Sequence, residues 1–476
     1  MGKANRVRRQ AKVRAKARDE QRRRQRGGGA PRAAGGAGAA GWQAFAGAGQ
    51  RRTAGPRLPL AARADVLVME GLHAQFRGDF AAMAGCAAEL AAQTSGASWQ
   101  RASGLALLAA LQRAVTVGWH QGWQPAEVSR QVGREFSALH ARLAVDMIAA
   151  EMRGYAAATV DERWASQLAA LDATAWWSAD DGYLDEWLER EHLGRLAAVT
   201  CALEVLFALA TLPGLNQICP LPGTARRGTL AAERSSRQSV DQRMLGRVRG
   251  LLAKAESTEF PQEAEALTAR AQELMARHSI DEALLAASAG PAGGDGPSAR
   301  RIFVDNPYEG PKTVLLDNVA KANRCRVVWH KQLAMSSVLG FPADLNSVEL
   351  LFTSLLVQAT TVMLQEGSRR DAYGRSRTRT FRQSFLTSYA QRIGERLTDA
   401  TGTVERAAAA EAPGTNLLPV LAARHRAVDE AVDDMFPELT HHSMGSANDH
   451  EGWITGRAAA DLASLHGQRE VTGDAA

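Results

Sequence analysis

Cysteine is scarce in this 476-residue chain: Cys86, Cys201, Cys219 and Cys325 are the only four, and no two form a C-x-x-C pair. That spacing excludes a zinc knuckle or ribbon, and a long chain with so few thiols is no disulfide scaffold. A run of about 20 uninterrupted apolar residues, as a spanning helix needs, is missing too. The most apolar stretch, Leu196 to Leu215, is interrupted by Glu204 and closed by Pro213-Gly214, and it reads as a buried helix. The N-terminus carries charge with no apolar stretch behind it, which excludes a secretory signal. Arg6 stands where N-myristoylation asks for Ser or Thr. A G-x-S-x-G elbow, a P-loop, an H-E-x-x-H pair and a G-x-G-x-x-G fingerprint behind a strand are all absent. Gly27-Gly28-Gly29 follows arginines rather than a strand, so it is no phosphate cradle. The expectation is a cytoplasmic protein, not placed in a membrane, with no cofactor implied.

Acidic residues are nearly missing from one end. Residues 1–60 hold 16 Lys and Arg against Asp19 and Glu20, a balance of +14. The rest of the chain holds 41 bases and 49 acids, or −8, so the formal net charge of +6 describes the tail and not the body. Arginine, lysine and glutamine without an apolar stripe (5–26), followed by Gly, Ala, Pro and Arg (27–57), cannot offset their ordering entropy. Residues 1–59 are therefore expected to be a disordered basic tail.

Apolar residues make up 45 % of the whole, enough for cores over most of its length, and the length suggests two or three of them. The expected fold is mostly α: a helical domain over 60–220, a small helical-hairpin unit over 240–287, and a C-terminal α+β domain with a short sheet over 301–466. In the first, Val132, Phe136, Leu139, Leu143 and Met147 recur at helical spacing behind Pro125, which suits a first turn. Seven of the ten tryptophans fall there, and they read as core anchors before they read as a stacking platform. In the second, Leu245, Val248, Leu251 and Leu252 mark one helix face, and Ala271, Leu274 and Met275 mark another. Ser279 and Glu282 have capping-box spacing and predict the start of a third short helix. In the third, Ile302-Phe303-Val304 and Arg326 to Trp329 are short strands, and Ser336 to Phe341 can pair with the latter. Asp344 is expected to cap a long apolar helix, and Phe381, Phe385, Tyr389, Ile393 and Leu397 repeat every four residues on the next.

The string MLGRVRGLLAKAESTEFPQEAEALTARAQELMARHSID (Met244 to Asp281) resembles the bacterial family named domain of unknown function 2786. CRVVWH (Cys325 to His330), FPAD (Phe341 to Asp344) and SFLTSYAQRIGERL (Ser384 to Leu397) look like the uncharacterised C-terminal domain that commonly follows it. The whole is similar to actinobacterial members. The resemblance implies relatives, with no activity, cofactor or site attached.

Three sets of residues are candidates for function. Arg8, Arg9, Arg22, Arg23 and Arg24 in the tail can neutralise phosphates and lend a salt-dependent affinity for nucleic acid; a merely solubilising tail is the alternative. Arg369, Arg370, Arg375, Arg377 and Arg379 surround Tyr373, a composition suited to a single-stranded backbone with base stacking; an exposed loop is the alternative. His425, Asp429 and Asp433 share a helix face at i, i+4 and i+8, with His441 close behind, and have the ligand chemistry of a divalent-metal site; a solvated polar face is the simpler account, and no catalytic residue is assigned. The leading expectation is a non-enzymatic nucleic-acid-associated or scaffolding protein. The alternatives are a metal-dependent hydrolase within 301–466 and a protein-interaction module with a solubilising tail.

Overall fold

The computed structural model describes residues 58–92, 96–225, 243–254, 257, 261–288, 296–371, 373–411, 417–440 and 449–463. The tail with Arg8, Arg9, Arg22, Arg23 and Arg24 lies outside the described residues, as does His441. Among those described, the chain is mostly helical, with one three-stranded sheet. It divides into two compact units: one runs to Tyr155 and takes in Glu162–Gln217, and the other holds Ala156–Asp161 and the chain from Ile218 onward.

The first unit is all helix: α1 (Leu60–Phe76), α2 (Phe80–Leu90), α3 (Ala97–His120), α4 (Pro125–Glu135), α5 (Ala138–Met152), α6 (Glu162–Ala170), α7 (Tyr183–Glu191) and α8 (Arg195–Ala210). The apolar stretch read as a buried helix is α8, whose Val199, Leu203, Val205 and Leu206 are buried. Trp99, Trp119, Trp123, Trp164 and Trp187 are almost wholly enclosed, as core anchors. Burial favours pairing an indole N–H with an acceptor, and three of these rings do so. Trp119 donates to Glu151 at 2.8 Å, Trp123 to the Pro213 carbonyl at 2.8 Å and Trp99 to the Glu89 carbonyl at 3.0 Å.

One expected helix is two. The apolar spacing runs unbroken from Val132 to Met147, but the chain turns at Phe136 (φ −120°, ψ −93°) and Ser137 (φ −158°, ψ 172°) between α4 and α5. Serine competes with the helical backbone for hydrogen bonds, which suits it to a boundary. Phe136 and Leu143 thus sit on different helices, at a spacing one helix would also have given.

The second unit holds α9 (243–254), α10 (Pro261–Ser288), β1 (Ser298–Phe303), α11 (Glu309–Ala322), β2 (Arg326–His330), β3 (Met335–Gly340), α12 (Pro342–Gln365), α13 (Thr378–Glu411), α14 (Leu417–Met435) and α15 (His450–Leu462). The sheet is antiparallel in the order β1-β3-β2, with Ser298 opposite Gly340 and Arg326 opposite Leu339. Side chains alternate across β3. Val338 faces the main core with Ile302, Leu316, Leu345 and Phe352, while Leu339 joins Val328, Phe341, Val428 and Val432 beneath α14. Phe381, Phe385, Tyr389, Ile393 and Leu397 are all buried on α13, as their period requires.

The hairpin unit at 240–287 and the domain at 301–466 turn out to share that core. Val248 and Leu252 of α9 and Ala271 and Met275 of α10 are buried in one cluster with Val319, Leu345, Leu351 and Tyr389. Two helices could not enclose both of their apolar faces alone; the C-terminal helices supply the missing wall. No third helix starts at Ser279, because α10 runs unbroken to Ser288. Asp344 is not the cap of α12 but lies in its first turn, behind Phe341 at the N-cap and Pro342 at the first helical position. α12 is long and apolar enough to cross a membrane, as is the α7–α8 pair if its 107° bend is disregarded. Leu345, Val348, Leu351, Phe352 and Leu355 of α12 are buried in this core.

Candidate functional site

α12 and α13 are joined by a hairpin that carries the arginine cluster. Arg370 and Ser376 form an isolated antiparallel bridge, and Arg377 N–H donates to the Arg369 carbonyl at 3.0 Å. The tip is closed by Asp371, whose carboxylate accepts from the amides of Tyr373 at 2.9 Å and Arg375 at 2.7 Å. Gly374 takes the left-handed conformation (φ 76°) that this turn requires. An aspartate that bonds its own downstream backbone fixes a turn without help from distant partners.

The five arginines divide in two. Arg369 and Arg377 turn inward. Arg369 pairs with Glu366 and with Glu451 (3.1 Å), and its guanidinium lies 5.1 Å from the centre of the Phe381 ring. Arg377 pairs with Asp449 (3.1 Å) and Glu451. Asp449 is itself the N-cap of α15, accepting from Gly452 N–H at 2.9 Å. These two arginines therefore rivet the hairpin base to the start of α15. Arg370, Arg375 and Arg379 are exposed, and Tyr373 is 87 % exposed between them. The structure thus holds a fixed stem and leaves Tyr373 and Arg375 exposed at its tip, with Arg370 exposed on the stem and Arg379 exposed at the start of α13.

Of the candidate metal ligands, His425, Asp429 and Asp433 lie on α14, and His441 lies outside the described residues. His425 and Asp429 meet, with Nδ1 3.4 Å from Oδ2. Arg326 of β2 reaches across both: its Nε is 2.8 Å from Asp429 Oδ1 and its Nη2 is 3.0 Å from His425 Nε2. A guanidinium cannot accept a proton, so His425 Nε2 must accept and Nδ1–H must face Asp429. The lone pair a metal would need is committed to a cation. Asp433 is exposed further along the face, and among the described residues no group of three or more His, Cys, Asp or Glu side chains converges.

A polar centre escaped the sequence reading. Ser279 Oγ donates to Asp344 at 2.5 Å. Arg324 donates to Ser279 Oγ at 2.5 Å, to Asp344 at 3.1 Å and to Glu405 at 3.0 Å. Arg424 donates to the Ser279 carbonyl at 3.2 Å and lies over the Phe341 ring. Ser279 and Asp344 are fully buried, and Arg324 holds a left-handed backbone (φ 57°) that costs a non-glycine residue on the order of 1 kcal/mol. Burial pulls the Arg424 guanidinium below its ordinary value, opposed by Asp344 and Glu282. Burial likewise pushes the adjacent Cys325 thiol well above its ordinary value, so it is no nucleophile. This centre ties α10, the α11–β2 turn, α12, α13 and α14 together. Its sequence signal was the Ser279 and Asp344 pair, each of which satisfied a local capping pattern instead.

Residues 243–282 match the family model described as protein of unknown function (DUF2786), so the segment that carries α9 and most of α10 is of that family. No curated protein and no solved structure matches the chain.

Proposed function

We propose that this chain is a nucleic-acid-associated protein that contacts single strands through the 366–379 hairpin. The exposed Tyr373 between Arg370, Arg375 and Arg379 carries the reading. An aromatic face accepts any base, and flanking guanidinium groups follow the phosphates. The pinned stem supports it as well, since a tip held by Asp371, Asp449 and Glu451 loses little freedom on binding. The chain beyond residue 60 is acidic overall, so these exposed arginines are a local cationic cluster against that balance. The basic residues of the tail add a longer-range, sequence-independent attraction. The setting proposed is cytoplasmic, where Cys86, Cys201, Cys219 and Cys325 stay free thiols, as they are here.

The test is fluorescence anisotropy with a labelled oligonucleotide. Stacking one base on Tyr373 contributes about 1–3 kcal/mol, so Tyr373→Ala is expected to weaken single-strand binding about tenfold and to leave duplex binding nearly unchanged. Arg370→Ala with Arg375→Ala is expected to flatten the salt dependence. Unchanged affinity and slope in both variants would place the contact in the tail or remove it altogether.

A further inference from the structure

The break between α4 and α5 has a chemical result. The side chain of Ser137, at the N-cap of α5, bonds no amide of that helix. Its hydroxyl lies 2.8 Å from His140 Nδ1. The other ring nitrogen of His140, Nε2, lies 2.8 Å from Glu204 Oε2. One neutral tautomer satisfies both contacts: Nε2–H donates to the carboxylate, and Nδ1 accepts from the serine hydroxyl. Phe136 stacks on the imidazole with 5.0 Å between ring centres and 19° between planes, which fixes the ring. The His140 side chain is only 13 % exposed, whereas Ser137 is open to solvent. Glu204 is the single charge in the apolar run of α8, and His140 is what it faces. The amides of Ala138, Leu139 and His140 in the first turn of α5 make no hydrogen bond among the described residues.

A nucleophile in reach of a base, with the base oriented by a third group, is the geometry that activates serine. We propose that Ser137, His140 and Glu204 form an acyl-transfer site that hydrolyses esters. Ser137 Oγ bonds to the carbonyl carbon while its proton passes to His140 Nδ1, and the carbonyl π pair moves onto oxygen. The unbonded amides of the α5 first turn are the donors available to that oxygen. The adduct then collapses, the bond to the alkoxy oxygen breaks, and that oxygen takes the proton from His140 Nδ1. Water repeats the sequence on the acyl-serine, releasing the acid and restoring Ser137. Glu204 is a positioning residue: it holds the ring in the tautomer that leaves Nδ1 free to accept and steadies the imidazolium. Because Ser137 lies at the surface, the site takes acyl groups presented on a small activated ester or projecting from a larger carrier.

The test uses the full chain with a fluorophosphonate probe, located by peptide mass spectrometry, beside initial rates on p-nitrophenyl acetate. The expected result is covalent label on Ser137, absent from Ser137→Ala together with the ester turnover. General-base catalysis is worth roughly a hundredfold or more, so His140→Gln is expected to slow labelling by at least about tenfold. Glu204→Gln should slow labelling with an unchanged melting temperature, and Glu204→Asp should restore part of the rate. Label spread over surface serines with Ser137 no faster than the rest, or wild-type turnover in Ser137→Ala, would overturn the assignment and leave the three residues as packing at a helix end. Label on the wild-type chain decides the matter even if a variant fails to fold.

Discussion

Two glycines in the second unit make opposite predictions for one substitution. Gly456 lies on α15 where that helix crosses α13. A methyl group there would land on the Phe385 carbonyl oxygen and 2.5 Å from Ser388 Oγ. Backbone cannot rotate away as a side chain can, so α15 must lift. Overpacking of this kind costs about 1–3 kcal/mol. Lifting the helix also strains the bond from Ser388 Oγ to the Trp453 carbonyl, at 2.6 Å, worth about 1 kcal/mol. Gly456→Ala should therefore destabilise the second unit by about 2–4 kcal/mol. Gly402 lies on α13 with nothing within 4 Å of the position a methyl would take. There alanine meets no obstacle and restricts the unfolded chain, so Gly402→Ala should stabilise by about 0.5–1 kcal/mol. The assay is differential scanning calorimetry of the full chain, following the transition of the second unit, because two units need not melt together. Each kcal/mol is worth about 2–4 °C in a unit of this size. Gly456→Ala should melt on the order of 5–10 °C lower and Gly402→Ala slightly higher. Equal shifts in the two variants would refute the close approach of α13 and α15.

Three further outcomes follow from the same packing. Leu252→Ala, in the shared core, should cost about 2–5 kcal/mol, whereas Arg277→Ala, which loses exposed pairs to Glu273 and Glu411, should cost about 0–1 kcal/mol; equal costs by urea denaturation would mean that α10 faces the other way. Arg324→Met leaves Asp344 and Glu405 without their cation and should lower stability by about 3–5 kcal/mol, while the paired change Arg324→Met with Asp344→Asn should recover part of it; no recovery in a double-mutant cycle would show that the two do not interact. His330 is held neutral, its pKa lowered to about 4 by burial and then by Arg301. Its unfolded value is near 6.5, so the unfolded state takes up a proton first as pH falls. Stability from this group is complete above about pH 6.5 and declines toward pH 4, by roughly 1–3 kcal/mol. His330→Gln should flatten that slope, and an unchanged slope would assign the pH dependence elsewhere.

The helix of Phe381, Phe385, Tyr389, Ile393 and Leu397 was legible because a four-residue repeat and a buried stripe are one fact seen twice. The second and third strands were legible, Arg326 to Trp329 and Ser336 to Gly340 falling within β2 and β3, whereas β1 runs Ser298–Phe303, mostly ahead of the expected Ile302 to Val304, because its arginines and serine carry little strand signal. The turn at Phe136 and Ser137 was not, since apolar spacing continues through it and only the three-dimensional path shows that the stripe changes helix. Ser279 was misread because its local spacing to Glu282 suits a cap, while its actual partners, Arg324 and Asp344, lie 45 and 65 positions away. The arginine hairpin was half legible: composition counted the guanidinium groups, but which of them are spent inward depends on Asp449 and Glu451, some 70 residues on. The triad at Ser137 lies at the same break and was hidden with it.

The core that α9 and α10 share with the C-terminal helices also limits how such a protein can be inherited. A recombination event that delivered residues 243–288 without their partner helices would deliver bare Val248, Leu252 and Met275 to solvent. One that delivered the partner alone would open the other side of the same core and leave the Asp344 carboxylate without Ser279. A cut between residues 288 and 296 would divide one core, so the two stretches are expected to be inherited together.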